Sequence, residues 1–283
     1  MNKRLTNVNE AMKILMGCKR LVVLSLASSF VGEELPADLG IVDFDGFQNL
    51  QVLDLSSCNL LNRITGSIPS WIGTLPRLCS VSMEFNLLSG EPPKELWTLP
   101  MLVSEQAATQ VDRTPIDLPI FYPSIDHGRP LQYNYLYYAA SISLRNNNLQ
   151  GNMPSEIGQL QLLQTLDLSN NNFTDNIPDQ ISNLKDMEML DLSMNHLSGK
   201  IPMSFTSLHF LSKFNVLYNN LKGPIPSSTQ LQSFDASAFE GNLKFCGAQL
   251  PNKCQTTKGT DAPEGGAIFA IEYTKSLNKS VSL

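Results

Sequence analysis

Apolar and polar positions follow one another along this chain with a period too long for a single helix or strand. From Leu163 the sequence reads LQTLDLSNNNFTDNIPDQISNLKDM, then returns as MEMLDLSMNHLSGKIPMSFTSLHF and again as LSKFNVLYNNLKGPIP. Anchored on the second apolar residue of each L-x-L unit, the copies place Leu144, Leu168, Leu192 and Val216 twenty-four residues apart. Asparagine falls three after each anchor, at Asn147, Asn171, Asn195 and Asn219. Met153, Ile177, Ile201 and Ile225 fall nine after, each followed by proline. Alternation within the L-x-x-L-x-L segment predicts a short strand, because successive side chains leave opposite faces. The asparagine is suited to bonding backbone groups left free where the chain bends away from that strand. The G-x-I-P segment then carries the chain to the far side.

No single unit of this kind can bury its leucines alone, so stacked copies must share one elongated core. A 24-residue unit with this spacing is a leucine-rich repeat. Earlier copies are more worn: LVVLSLASS anchors on Leu26, LQVLDLSSCNL on Leu55 and LCSVSMEFNLL on Met83. The first two anchors are 29 apart, with the excess near GIVDFDGF; the next gap is 28, with four surplus residues at about Leu61 to Ile64. The predicted fold is therefore an α/β-type solenoid of about seven repeats, with short parallel β-strands and a 3-10 or irregular convex side. Its expected turn ladder runs Ser29, Cys58, Asn86, Asn147, Asn171, Asn195 and Asn219. Cys58 in that row is expected to pack rather than react.

Met83 predicts an anchor at position 107, yet the next is Leu144, so 37 residues are inserted, approximately over residues 103–140. Five of the chain's seven tyrosines fall there: Tyr122, Tyr133, Tyr135, Tyr137 and Tyr138. Loops beyond about 15 residues inside compact domains are usually functional or disordered. This one is too aromatic and apolar for disorder, and Asp117–Tyr122 and Leu131–Tyr138 have strand-like composition. It is expected to be a folded, functional insertion. The remaining organisation is a partial preceding repeat at 1–20, repeats at 21–102 and 141–226, a C-terminal cap at 227–254 and a flexible tail at 255–283.

Composition narrows the function classes. Forty-two leucines and twenty-four asparagines accompany only 16% charged residues, which excludes a disordered chain. A net charge of −6 gives no basic face for nucleic acid. There is no run of about 18 apolar residues to span a membrane, and MNKRLTNVNEAMKIL lacks the continuous apolar core of a signal peptide. His127, His196 and His209 are scattered, so neither a metal site nor a catalytic triad is expected, and neither is a cofactor. Cys246 and Cys254, with seven residues between them in the cap, are the one expected disulfide, which implies an oxidising compartment. Asn172-Phe-Thr and Asn278-Lys-Ser are glycosylation sequons.

The 24-residue unit with L-x-G-x-I-P resembles the plant-specific leucine-rich repeat of receptor-like kinases and receptor-like proteins. DGFQNLQVLDLSSCNL, LWTLPMLVSEQAATQVDRTPIDLPIF, PLQYN and SLHFLSKFNVLYNNLKGPIPSSTQLQSFDASAFEGNLKFCG resemble in particular the tyrosine-sulfated peptide receptor branch. The similarity covers roughly residues 5 to 254. It implies that the insertion is the family's island domain, folding onto the concave surface and helping to bind a secreted peptide hormone, in some members by strand addition. It also implies an extracellular or plasma-membrane setting. The chain departs from the family in having no signal peptide, N-terminal cap cysteines, membrane helix or kinase motifs, and is expected to be a truncated ectodomain fragment.

On this reading the protein is a noncatalytic scaffold whose partner is a secreted peptide, sulfated or not, or another receptor ectodomain. The alternatives are a co-receptor or decoy module and a degenerate fragment without signalling. A sulfated or acidic peptide calls for guanidinium or ammonium groups, making Arg113, Arg129, Arg145 and Lys213 candidates. Tyr133, Tyr135 and Tyr218 are candidate amphipathic contacts. The outward strand positions of the last four repeats, from Ser141 to Tyr218, are expected to line the concave face. The aspartates Asp54, Asp167 and Asp191 are expected to serve the repeat itself rather than a ligand.

Overall fold

The computed structural model describes residues 7–27, 32–36, 46–57, 63–103, 121–122, 131–132, 140–227, 229–247, 250 and 252–254. Seven three-residue strands stack in chain order as one parallel sheet: Val23–Ser25, Val52–Asp54, Ser80–Ser82, Ser141–Ser143, Thr165–Asp167, Met189–Asp191 and Lys213–Asn215. Each pairs without slippage, so Leu166 stands opposite Ile142 on one side and Leu190 on the other. The middle residue of every strand, from Leu24 to Phe214, points into the core and is buried. The anchors follow the same rule, with Leu55, Met83, Leu144, Leu168, Leu192 and Val216 at 1% exposure or less. Leu26, in the first strand's repeat, is only half-buried.

What stops each strand after three residues is visible in the hydrogen bonds. In the repeat of Leu192, the Asp191 carboxylate accepts the Ser193 N–H at 2.9 Å and its hydroxyl at 2.6 Å. That N–H is thereby withdrawn from the sheet, and the Leu168 carbonyl of the preceding repeat loses its natural partner. The Asn195 amide takes its place, donating to Leu168 O at 3.0 Å, while its own carbonyl accepts the Phe173 N–H at 3.0 Å. Asp167 and Ser169 form the same turn, with Asn171 as the matching rung. At Asn215 a neutral amide does the aspartate's work, accepting the Leu217 N–H at 3.1 Å. The ladder thus supplies the bonds that buried backbone groups require.

Five described rungs, Asn86, Asn147, Asn171, Asn195 and Asn219, are each buried to 7% exposure or less. Ser29 and Cys58 lie outside the described residues. The ladder also gains a rung beyond the expected series. Asn242, inside the cap, donates to Val216 O at 2.9 Å and accepts from Leu221 N at 3.0 Å. The worn N-terminal register is refined as well. Ile64 N–H donates to Asn86 Oδ1, the bond that Leu149 makes to Asn171, and Ile64 is buried. Ile64 therefore holds a regular core position, and the four surplus residues precede it rather than including it.

Past the ladder the chain enters a second parallel sheet, Thr65–Gly66, Leu87–Gly90, Asn148–Asn152 and Asn172–Thr174. It turns there through a left-handed residue, Gly90, Gly151, Gly199 or Gly223, a conformation without steric cost for glycine. In one repeat Asp175 holds that place at φ 64°. Five short 3-10 helices form the convex side: Ser70–Thr74, Lys94–Thr98, Ser155–Gln159, Asp179–Asn183 and Met203–Ser207. Each is preceded by a proline whose fixed φ suits the entry.

The N-terminal helix Val8–Met16 adds Val8, Met12 and Met16 to the same core. At the other end the core closes on aromatic rings, Phe214 packing on Phe239 at 5.8 Å and Phe239 on Phe245 at 6.3 Å. Cys246, in the last strand Lys244–Cys246, is joined to Cys254 by a disulfide. The insertion departs after the helix Pro100–Val103 and re-enters the solenoid at Ala140, ahead of the strand Ser141–Ser143. Within it Phe121–Tyr122 pairs antiparallel with Leu131–Gln132. The remainder of the insertion lies outside the described residues, as does the 255–283 segment.

Candidate functional site: the concave face

The seven parallel strands present their alternate side chains on one surface, the inner wall of the solenoid. At about 4.8 Å per strand, that wall is about 29 Å long. Four columns cross it. The first carries Ser80, Ser141, Thr165, Met189 and Lys213; the second Asp54, Ser82, Ser143, Asp167, Asp191 and Asn215. The third and fourth follow each strand, with Glu84, Arg145, Ser169, Ser193 and Leu217, then Phe85, Asn146, Asn170, Met194 and Tyr218.

Strand alternation turns the first three columns outward and the left-handed turn residues form the fourth, but these positions are not equally available. Ser143, Asp167, Ser169 and Ser193 are buried to 8% exposure or less. The turn folds Ser169 and Ser193 back onto Asp167 and Asp191, while Ser143 donates to Glu84 in the neighbouring repeat. The three aspartates are occupied within the scaffold: Asp54 accepts from Ser25 and Ser56, and Asp191 accepts from Ser193 and Asn215. Burial pushes the Asp167 carboxyl above its usual range, partly offset by the two bonds from Ser169.

The exposed positions are Arg145, Asn170, Lys213, Met194 and Tyr218, the last two at 47% and 54%. The Arg145 guanidinium lies over the Phe85 ring at 5.6 Å, which steadies it without neutralising it. Among the described residues the one ion pair is Lys13 with Glu10, so neither Arg145 nor Lys213 has a described carboxylate within pairing distance. Three strands across and four residues along separate these two cations by about 19 Å. They cannot clamp one anion together. Phe85, Met194 and Tyr218 are bulky residues held in left-handed conformations at φ 58°, 54° and 51°. The equivalent Asn146 and Asn170 are bonded to each other side chain to side chain. Spacing alone does not mark Phe85, although it stands where later repeats carry asparagine.

Other sequence candidates distribute as follows. Arg113, Arg129, Tyr133, Tyr135 and Asn278 lie outside the described residues. Asn172 is exposed on the second sheet. Among the described residues no group of three or more histidine, cysteine, aspartate or glutamate side chains could hold a metal ion. Among them, too, no helix is long and apolar enough to cross a membrane.

A parallel inner sheet, an asparagine ladder and a second sheet joined through L-x-G turns define a leucine-rich repeat solenoid of the plant type. The Leucine Rich Repeat family model matches residues 49–75, 162–184 and 186–208. Receptor-like protein 3 of Arabidopsis thaliana is 39% identical over 187 residues, covering 57% of this chain and 24% of that protein. Phytosulfokine receptor 1 of the same plant is 39% identical over 185 residues, covering 57% of this chain and 18% of the receptor. Among solved structures, the ectodomain of the Arabidopsis receptor kinase GASSHO1/SCHENGEN3, in complex with CASPARIAN STRIP INTEGRITY FACTOR 2, superposes with a TM-score of 0.64. It is 32% identical, over 86% of this chain and 23% of that one. The chain shares its leucine-rich repeat fold with plant receptor ectodomains of known structure, and spans about a quarter or less of the curated relatives it matches.

Proposed function

We propose that this chain is a noncatalytic ligand-binding scaffold at the extracellular side of a plant cell, taking a secreted peptide along its concave wall with the insertion as a second contact. The observation that carries this reading is the pair of exposed cations, Arg145 and Lys213, at separate points of the wall, neither with a described carboxylate within ion-pair distance. An extended peptide advances about 3.3 Å per residue, so the about 19 Å between them corresponds to about six residues. The peptide meets Arg145 and Lys213 with two separate acidic or sulfated groups and covers Met194 and Tyr218 with apolar ones. Arg113, Arg129, Tyr133 and Tyr135 extend the contact from the insertion. Kinship with a phytosulfokine receptor and with a peptide-bound receptor kinase supports a peptide partner, and the cap disulfide supports an oxidising compartment. A second reading, contact with another receptor ectodomain, is favoured by the exposed Met194, Tyr218 and Leu243 at one end.

The test is calorimetric titration of the refolded, disulfide-linked chain with tyrosine-sulfated and unsulfated peptides. Binding that weakens about tenfold on Arg145→Ala, with sulfated peptide preferred, is expected from loss of one charge-assisted contact. Absence of binding by either peptide to correctly folded protein would sink the proposal.

A further inference from the structure

Three consecutive asparagines, Asn170, Asn171 and Asn172, leave the strand Thr165–Asp167 and meet three different environments. Asn170 is left-handed and bonds Asn146. Asn171 is buried, its amide donating to Leu144 O and Leu168 O and its oxygen accepting from Leu149 N. Asn172 is exposed, and its side chain takes part in no hydrogen bond with a described residue. Two positions on, Thr174 is also exposed, its hydroxyl making only a long 3.4 Å contact to Gly151 O. Between them Phe173 is buried at 1%. The positions equivalent to Asn172 in neighbouring repeats, Asn148, His196 and Asn220, are exposed too, but none is an asparagine followed by serine or threonine two residues later.

We infer that Asn172 is a site of N-linked glycosylation, an inference that rests on the secretory setting proposed above. The ligand is an oligosaccharide transferred from a lipid-linked pyrophosphate carrier. The Asn172 Nδ2 attacks C1 of the first sugar, a C–N bond forms, the sugar–phosphate C–O bond breaks, and the lipid pyrophosphate leaves as the amide proton passes to the transferase. Transfer precedes folding, because in the finished protein Phe173 is buried and the strand Asn172–Thr174 is paired to Gln150–Asn152. The folded structure then accepts the product without rearrangement, since Asn172 already points to solvent. Its position also matters for binding. Asn172 follows the exit end of the concave strands, whereas the insertion joins at their entry end, ahead of Ser141. Seven residue positions of the repeat, Thr165 to Asn171, lie between. The sugar therefore covers one flank of the solenoid and leaves the described concave wall open.

The test is to send the full chain, behind an appended secretion signal, through a eukaryotic secretory host and map oligosaccharide on its peptides by mass. Occupied Asn172, lost in Asn172→Gln and in Thr174→Ala but retained in Thr174→Ser, is the expected result. Secreted protein with Cys246 and Cys254 oxidised and Asn172 bare would overturn the inference, the more directly if Asn278 is occupied in the same material. Peptide titration of that material tests binding separately, so either proposal can fail while the other stands. Removal of the sugar is expected to leave peptide affinity unchanged within about twofold, since the glycan lies off the binding wall.

Discussion

Replacing Asn195 with alanine removes one rung from the middle of the ladder. The amide accepts the Phe173 N–H at 3.0 Å and donates to Leu168 O at 3.0 Å and Leu192 O at 3.2 Å. Phe173 is 1% exposed and Leu168 fully buried, so water does not reach the groups left behind. Each unsatisfied buried backbone group costs about 1–3 kcal/mol. Leu168 O keeps its bond from the Asn171 amide and Leu192 O its bond from the Asn219 amide, so the Phe173 N–H is the group left without its partner. This predicts a loss of about 1–3 kcal/mol from the about 5–15 kcal/mol available to a domain. Urea unfolding followed by far-ultraviolet circular dichroism measures this, provided the slope with denaturant is unchanged. His196→Ala, next along the chain but exposed, should stay within about 0.5 kcal/mol. A loss below about 1 kcal/mol in Asn195→Ala would mean that something other than the asparagine ladder satisfies the strand ends.

Two further substitutions probe the same turns. Asp167→Asn keeps an oxygen for the Ser169 N–H, as Asn215 does for Leu217, while removing a charge. The folded protein holds the Asp167 proton to a higher pH than the ordinary 3.8 of the unfolded chain. Ionisation therefore costs stability, increasingly as pH rises from 3.8 through the folded value and fully above it. The variant should melt higher than the parent at neutral pH, with the difference closing on acidification towards 3.8; a lower melting temperature at neutral pH would mean the charge itself is needed. Asp175→Gly places the usual residue at the left-handed turn and should gain about 0.5–1 kcal/mol in urea unfolding. A loss instead would show that the Asp175 side chain stabilises its own turn.

Much of the scaffold could be read from residue spacing because each repeat asks the same physical question at the same position. An apolar residue at the anchor and asparagine three later recur wherever a strand must end beside a buried carbonyl. Asn242 escaped because it lies 23 residues after Asn219, not 24, and no L-x-L strand introduces it; the string F-E-G-N-L was its only trace. Ile64 was misplaced for a related reason, since only its bond to Asn86 reveals which residue resumes the register. On the concave wall, alternation identifies facing but not access. Ser169 and Ser193 face outward and are nonetheless buried, because their hydroxyls are drawn onto Asp167 and Asp191. Arg145 and Lys213 were legible as wall residues, whereas their separation depends on strand register in three dimensions.

The join around the insertion has a consequence for how such chains diversify. Ser80–Ser82 pairs with Ser141–Ser143 as any adjacent repeats do, and Asn147 reaches back to Met83 O at 2.9 Å as if nothing intervened. Partners normally 24 residues apart are here 61 apart, which by chain-closure statistics costs only about 0.8 kcal/mol. The scaffold is thus nearly blind to what hangs between Val103 and Ala140. That makes the gap an exchangeable cassette: evolution, or an engineer, can rewrite the segment there while the solenoid that holds it open stays the same.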